Sequence, residues 1–126
     1  MKRLWIGAAL LIILLAGGIS STVVTEHFHH SLSRRLESTA SAALAQDWEQ
    51  TGELLHQCQS RWARNRNLIA AVVSHEPIEQ IDMLYAQLEI YFQRRDSLGF
   101  SICCRALQHQ TRALGETQSI NWWNLL

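Results

Sequence analysis

Three histidines follow an uncharged N-terminal run closely: His27, His29 and His30. Imidazole nitrogens are common ligands of zinc and copper, so the cluster could hold a metal ion. On a helix, however, His27 and His30 share one face while His29 points away from both, so only two of them could bind one ion together. The alternative, which we favour from the sequence, is a polar collar of histidines that face water and are dispensable for folding and binding.

The pair His75-Glu76 resembles the first half of the zinc-protease motif H-E-x-x-H. That motif needs a second histidine at position 79, which is a glutamate in this chain. We therefore interpret the pair as the start of a helix, where Ser74 or Glu76 accepts hydrogen bonds from backbone N–H groups.

The chain has three cysteines, Cys58, Cys103 and Cys104, and no C-x-x-C pair. Cys103 and Cys104 are adjacent, and a helix does not accommodate the strained ring of a vicinal disulfide. Three interpretations stay open: small buried hydrophobic side chains, a bridge from Cys58 to Cys103 or Cys104, and a reactive or intermolecular thiol. The first is the one that we favour.

The sequence shows no glycine-rich phosphate loop, nucleophile elbow or Ser-His-Asp set. We therefore predict that the protein is not an enzyme, and we assign no catalytic, cofactor-binding or metal-binding residue and no cofactor. Lys and Arg together number 11, as do Asp and Glu, which argues against a nucleic-acid partner. An apolar fraction of 48% is too high for a disordered chain.

Apolar side chains recur at helical spacing along the whole chain after residue 27, which predicts an all-α fold. The heptad stripe on the second of these helices is the clearest, with Trp48, Leu55, Trp62 and Ile69 on one seam and Thr51, Cys58, Asn65 and Val72 on the other. The other predicted core positions are Phe28, Leu32, Leu36, Ala40, Ala43, Leu44, Ile78, Ile81, Leu84, Tyr85, Leu88, Tyr91, Phe92, Phe100, Cys103, Cys104, Leu107 and Leu114. The aromatic members could instead line a ligand groove.

Helix ends are marked by capping residues and by one proline. Asp47 and Asp96 each predict the N-terminus of a helix, Pro77 predicts a new helix start, and Gly115 predicts a helix C-terminus. We expect an antiparallel bundle of about four helices, built as two stacked hairpins whose second helices begin 49 residues apart.

No residue from Leu4 to Thr25 is charged, and Lys2 and Arg3 precede this run. A helix of this length is about 33 Å long, enough to cross a hydrocarbon core of about 30 Å. The sequence therefore predicts an N-terminal transmembrane helix with its N-terminus in the cytoplasm. A cleaved signal peptide is the alternative, and either one exports the rest of the chain.

Two domains follow from this prediction: residues 1–25 as the anchor or uncleaved signal, and residues 26–126 as the exported helical bundle. The bundle ends in an apolar tail, residues 120–126, which we expect to fold back or to meet a partner. The predicted localisation is the cell membrane, with the C-terminal domain extracytoplasmic.

Several soft motifs together resemble a known family. They are Asp47-Trp48-Glu49 followed by Leu54-Leu55 and Trp62, then Ser74-His75-Glu76 leading into Ile78 to Ile81, and the apolar ending Ile120 to Leu126. With the N-terminal segment, they resemble the bacterial family catalogued as domain of unknown function DUF4363. This resemblance implies a short, single-pass protein with a helical exported part, and it carries over no catalytic residue.

The expected function is that of a membrane-anchored helical interaction or accessory module, whose partner is another membrane or envelope protein. We expect binding through the Trp-rich tail or the aromatic face. The alternative is an exported metal- or thiol-dependent protein that uses the histidine cluster or the cysteines.

Overall fold

In a computed structural model of the 126-residue chain, the backbone is described for residues 1–71 and 73–123. Side chains are described for residues 1–17, 27, 29–71 and 73–116. The described residues form four helices: α1 (Lys2–Leu44), α2 (Trp48–Ala70), α3 (His75–Gln93) and α4 (Ser97–Trp123). The all-helical fold is therefore confirmed.

The four helices form a bundle in which each helix packs against two others. Helix α1 packs against α2 and α4, and α3 packs against the same two helices from the other side. The connections are short, and short connections join antiparallel neighbours. Two of them span only Ala45–Asp47 and Arg94–Asp96.

The core contains the stripes that the sequence predicts. Every helix contributes buried side chains, which are Leu32, Leu36, Thr39, Ala43, Thr51, Leu55, Cys58, Trp62, Ile78, Ile81, Tyr85, Leu88, Phe100, Cys103, Cys104, Leu107, Thr111 and Leu114. Trp48, Ile69, Leu84, Tyr91 and Phe92 pack against this core and are partly buried. Leu44 was predicted to be a core residue, but it is 56% exposed because it lies in the last turn of α1. Phe28 and Val72 lie outside the side chains that are described.

The two short connections have the same backbone geometry. In each, one residue adopts a left-handed conformation: Gln46 has φ 62° and Arg95 has φ 56°. The next residue then donates its backbone N–H five residues back, Asp47 to the Ala42 carbonyl and Asp96 to the Tyr91 carbonyl. This is the Schellman ending of a helix, and it turns the chain back in both hairpins.

Each connection ends in the N-cap that the sequence predicts. The Asp47 carboxylate accepts from the backbone N–H of Gln50 at 3.2 Å, and Asp96 accepts from Gly99 at 3.0 Å. The α1–α2 and α3–α4 hairpins are therefore built alike, with equivalent positions 49 residues apart. The core follows the same offset, since Leu36 and Leu55 correspond to Tyr85 and Cys104, all of which are buried.

The predicted transmembrane helix is wrong: in the part of the chain that the structure describes, no helix is both long and apolar enough to span a membrane. The uncharged run is not an element of its own but the beginning of α1, which continues to Leu44. The predicted domain boundary at residues 25 and 26 falls inside this helix.

Two further expectations concern the end of α4. Gly115 does not end a helix, because α4 continues to Trp123. The side chains of the apolar tail, residues 120–126, lie outside the described residues, so its predicted docking stays a prediction.

Candidate interaction surface

The predicted histidine collar is only partly correct. His27 and His30 are exposed, but His29 is half-buried and faces α4. A Cβ atom placed on Gly115 would lie 2.8 Å from Cδ2 of His29, so this glycine leaves the space that the imidazole occupies. Burial lowers the pKa of His29, because the charged imidazolium would lose hydration there. His29 therefore belongs to the α1–α4 contact and does not face water.

His75 and Glu76 lie in the first turn of α3 and are exposed, as a helix start requires. The Ser74 side chain makes no cap hydrogen bond, so Ser74 is not the acceptor among the two residues, Ser74 and Glu76, that the sequence offers. Among the described side chains, no group of three or more His, Cys, Asp or Glu residues is placed to hold a metal ion.

All three cysteines are free and buried, as the favoured interpretation has it. Cys58 lies 3.9 Å from the Thr39 hydroxyl, and the Cys103 thiol donates to the carbonyl of Leu84 at 3.3 Å. Burial raises the pKa of each thiol, so the unreactive neutral form is favoured. The bridge from Cys58 to Cys103 or Cys104 is not formed.

The aromatic side chains described on α2, α3 and α4 lie in the core or pack against it. Trp62 is 5% exposed and stacks on Tyr85 with ring centroids 6.4 Å apart. Near the turns, Trp48 meets Phe92 and Phe100 edge to face. The Trp62 and Tyr85 rings join α2 to α3, and the Trp48, Phe92 and Phe100 rings join α2 to α3 and α4 near the turns.

Sequence reasoning missed a polar contact at the α2–α3 seam. The Trp62 indole donates to the Asp82 carboxylate at 2.7 Å, and Arg66 forms an ion pair with the same carboxylate at 2.8 Å. Burial alone would raise the pKa of Asp82, but hydrogen bonds from Arg66 and Trp62 and the charge of Arg66 lower it. Arg66 therefore helps to hold α2 against α3.

Large apolar side chains between Leu4 and Leu15 are 50–80% exposed, and a second exposed apolar set lies on α3 and α4. Met83 and Ile90 on α3 are 59% and 54% exposed, and Leu98 and Ile102 on α4 are 66% and 61% exposed. Exposed alanines continue both rows. We call this set the outer apolar face, and its members are Met83, Ala86, Ile90, Leu98, Ile102 and Ala106.

The spacing of these residues places them in two parallel rows. On α3 they follow i, i+3, i+7, and on α4 they follow i, i+4, i+8, so each row lies on one side of its helix. The two rows are level with each other, since the Cys103 thiol lies 3.9 Å from the Gln87 side chain. The face thus consists of two neighbouring exposed rows on adjacent helices, with the exposed Gln87 at the seam between them.

The other hairpin provides a comparison within the same molecule. The positions 49 residues earlier on α1 and α2 are also exposed, and every one of them is polar. They are Arg34, Glu37, Ser41, Glu49, Glu53 and Gln57. Because the two hairpins are built alike, the fold itself does not require apolar side chains at these positions. The internal offset of 49 residues is the sequence signal that could have found this face.

A second, polar feature lies on the α1–α2 hairpin. It is a shallow, open groove lined by Arg34, Glu37, Ser38, Ser41, Ala42 and Gln50. A groove so open to solvent encloses no ligand, in contrast to the concave and largely apolar pockets that bind small molecules.

The sequence profile of the family described as "Domain of unknown function (DUF4363)" matches residues 20–125 of the chain. The chain belongs to the DUF4363 family. No curated protein and no solved structure is similar enough to match it. The match to DUF4363 covers the whole bundle, including both hairpins and the outer apolar face, and it assigns no activity to any residue.

Proposed function

We propose that this DUF4363 member is a non-enzymatic interaction or accessory module that binds a protein partner through the outer apolar face. One observation carries the proposal: structurally matched, equally exposed positions are apolar on α3–α4 and polar on α1–α2. Contiguous exposed apolar surface is costly in water, and in folded proteins it marks binding sites.

The chemistry of the face favours a macromolecular partner. It lies on two adjacent helices, and its six side chains offer apolar contact, while the exposed Arg105 lies beside them on α4. Such surfaces bind other helices or sheets, whereas small molecules need concave pockets.

We also propose that the bundle acts outside the cytoplasm, so that its partner lies in the same envelope compartment. Lys2 and Arg3 before a long uncharged run form the kind of N-terminal pattern that directs export. A reporter enzyme fused after Leu126 tests this proposal. Activity outside the cytoplasm is the expected result, and activity confined to the cytoplasm would contradict it.

Photo-cross-linking in cells tests the binding surface. A photoreactive amino acid at Ile102 should form a defined adduct with a neighbouring protein, because this position lies at the centre of the face. The matched control is Glu53, its exposed counterpart on α2. Equal yields at both positions, or no adduct at Ile102, would refute the proposed surface.

A further inference from the structure

We propose that the partner of the outer apolar face is a second copy of this chain, related by a two-fold axis perpendicular to the helices. In this arrangement, α3 of one copy packs antiparallel to α3 of the other, and α4 packs antiparallel to α4. The inference rests on the proposed function, since it names the partner of that same face.

The α3 row is complementary to itself when its direction is reversed. Along the helix it reads Glu79, Met83, Ala86, Ile90 and Arg94, all exposed. When the second copy is turned end to end about the middle of this row, Met83 of one copy lies opposite Ile90 of the other, and Ala86 lies near the axis. The apolar residues therefore meet apolar residues.

The charges at the two ends of the row match in the same arrangement. Glu79 at one end lies opposite Arg94 of the second copy at the other end, and the pairing occurs twice by symmetry. Opposite charges at the rim favour this orientation, while like charges placed together disfavour others.

The α4 row is compatible with the same axis. It reads Leu98, Ile102 and Ala106, so its middle residue is Ile102. Ile102 precedes Cys103, whose thiol lies 3.3 Å from the Leu84 carbonyl and 3.9 Å from the Gln87 side chain, on either side of Ala86 in sequence. One axis thus passes through the midpoints of both rows, and Leu98 then lies opposite Ala106 of the second copy.

The size of the face sets the expected strength of the dimer. From Glu79 to Arg94, α3 advances about 22 Å, and two adjacent helices are about 20 Å wide. This is at the small end of specific interfaces, so we expect a reversible dimer in the micromolar range and not a permanent one.

Charge exchange is the first test, and it uses the full-length chain. Glu79→Arg alone and Arg94→Glu alone should each weaken the dimer, because each creates two like-charge contacts. The double variant Glu79→Arg/Arg94→Glu should restore association. Since Glu79 also raises the pKa of Arg66 on α2 through its charge, thermal unfolding of each variant shows that the fold is retained. Equal association of all four proteins would overturn the pairing.

Cysteine cross-linking is the second test, because it reports the position of the axis. Under a mild oxidant, Ile102→Cys should form a covalent dimer, since the residue lies next to its counterpart. Leu98→Cys should not, because residue 98 of one copy and residue 98 of the other lie about 12 Å apart along the helix, beyond the reach of a disulfide. The parent chain, whose three thiols are buried, is the control. Equal cross-linking at both positions would overturn the antiparallel register.

The mass of the photo-adduct at Ile102 separates this inference from the proposed function. An adduct of twice the chain mass supports both. An adduct of any other mass overturns the second copy as partner but leaves the binding surface in place. The absence of an adduct above the Glu53 control overturns both.

Discussion

Trp62 connects two kinds of interaction at the centre of the α2–α3 seam. Its ring is buried against Tyr85, while its indole N–H donates to Asp82 at the edge of the core. Removing the side chain leaves a large cavity and takes away one of the hydrogen-bond donors to the Asp82 carboxylate, which keeps its ion pair with Arg66. Residue-scale predictions therefore begin with this tryptophan.

Trp62→Ala should lower the free energy of unfolding by about 3–5 kcal/mol, the usual cost of such a cavity. Urea unfolding followed by circular dichroism measures this change. The control Arg64→Ala, at an exposed position on the same helix, should change it by no more than about 0.5 kcal/mol. An alanine variant as stable as the parent would mean that Trp62 is not a core residue.

Protonation of His29 should weaken the bundle. Because burial lowers its pKa below the usual 6.5, the folded state binds fewer protons than the unfolded chain in the window just below that value. The free energy of unfolding should therefore fall as the pH drops from about 7.5 to about 5.5. His29→Gln should lose this part of the pH dependence, whereas the exposed control His30→Gln should keep it. Identical pH profiles for the two variants would contradict the α1–α4 position of His29.

At the scale of the elements, the twin connections lead to different predictions for two similar substitutions. Gln46 and Arg95 both adopt a left-handed backbone conformation, which is unfavourable for a residue with a Cβ atom and is not unfavourable for glycine. Gln46→Gly should therefore stabilise the protein by about 0.5–1 kcal/mol.

Arg95→Gly should stabilise less or even destabilise. The Arg95 guanidinium lies 5.5 Å from the Trp48 ring centroid and 4.9 Å from that of Phe92, and the substitution removes both contacts. Melting temperatures of the two glycine variants measure the difference. A larger gain for Arg95→Gly than for Gln46→Gly would show that these ring contacts contribute nothing.

The helices and most of the core could be predicted from the sequence because helical periodicity and capping are local signals. Asp47 and Asp96 cap α2 and α4 as predicted, and the heptad stripe of α2 is buried from Thr51 to Trp62. The end of α4 was missed at Gly115, because there the glycine provides space for His29 and does not terminate the helix. Nothing local distinguishes these two uses of a glycine.

The tertiary features could not be predicted from the sequence for a related reason. The contact of Arg66 with Asp82 joins residues on two helices, and no spacing rule within one helix predicts it. In the sequence, the residues of the outer apolar face are scattered, and they lie near one another only because the bundle places α3 and α4 side by side. The uncharged run was read as a separate membrane segment, whereas the structure makes it the beginning of the same helix that enters the core.

At the scale of the whole molecule, the bundle is two copies of one hairpin design with different surfaces. One hairpin presents charged and amide side chains, and the other presents the outer apolar face. Small and large core residues also alternate between them, since Thr51 and Trp62 on α2 correspond to Phe100 and Thr111 on α4. The interior is shared between the hairpins, while the outer faces have separate roles.

Analytical sedimentation of the parent, Ile90→Glu and Ser41→Glu chains measures whether the outer apolar face binds a second copy. Ile90→Glu introduces a charge into the face, and Ser41→Glu introduces the same charge at the matched position of the other hairpin. All three proteins carry the exposed apolar start of α1, so association through that segment is common to them. The parent and Ser41→Glu should dimerise with similar affinity, and Ile90→Glu should be weaker by about tenfold or more. A monomeric parent, or equal dimerisation of all three, would contradict the account.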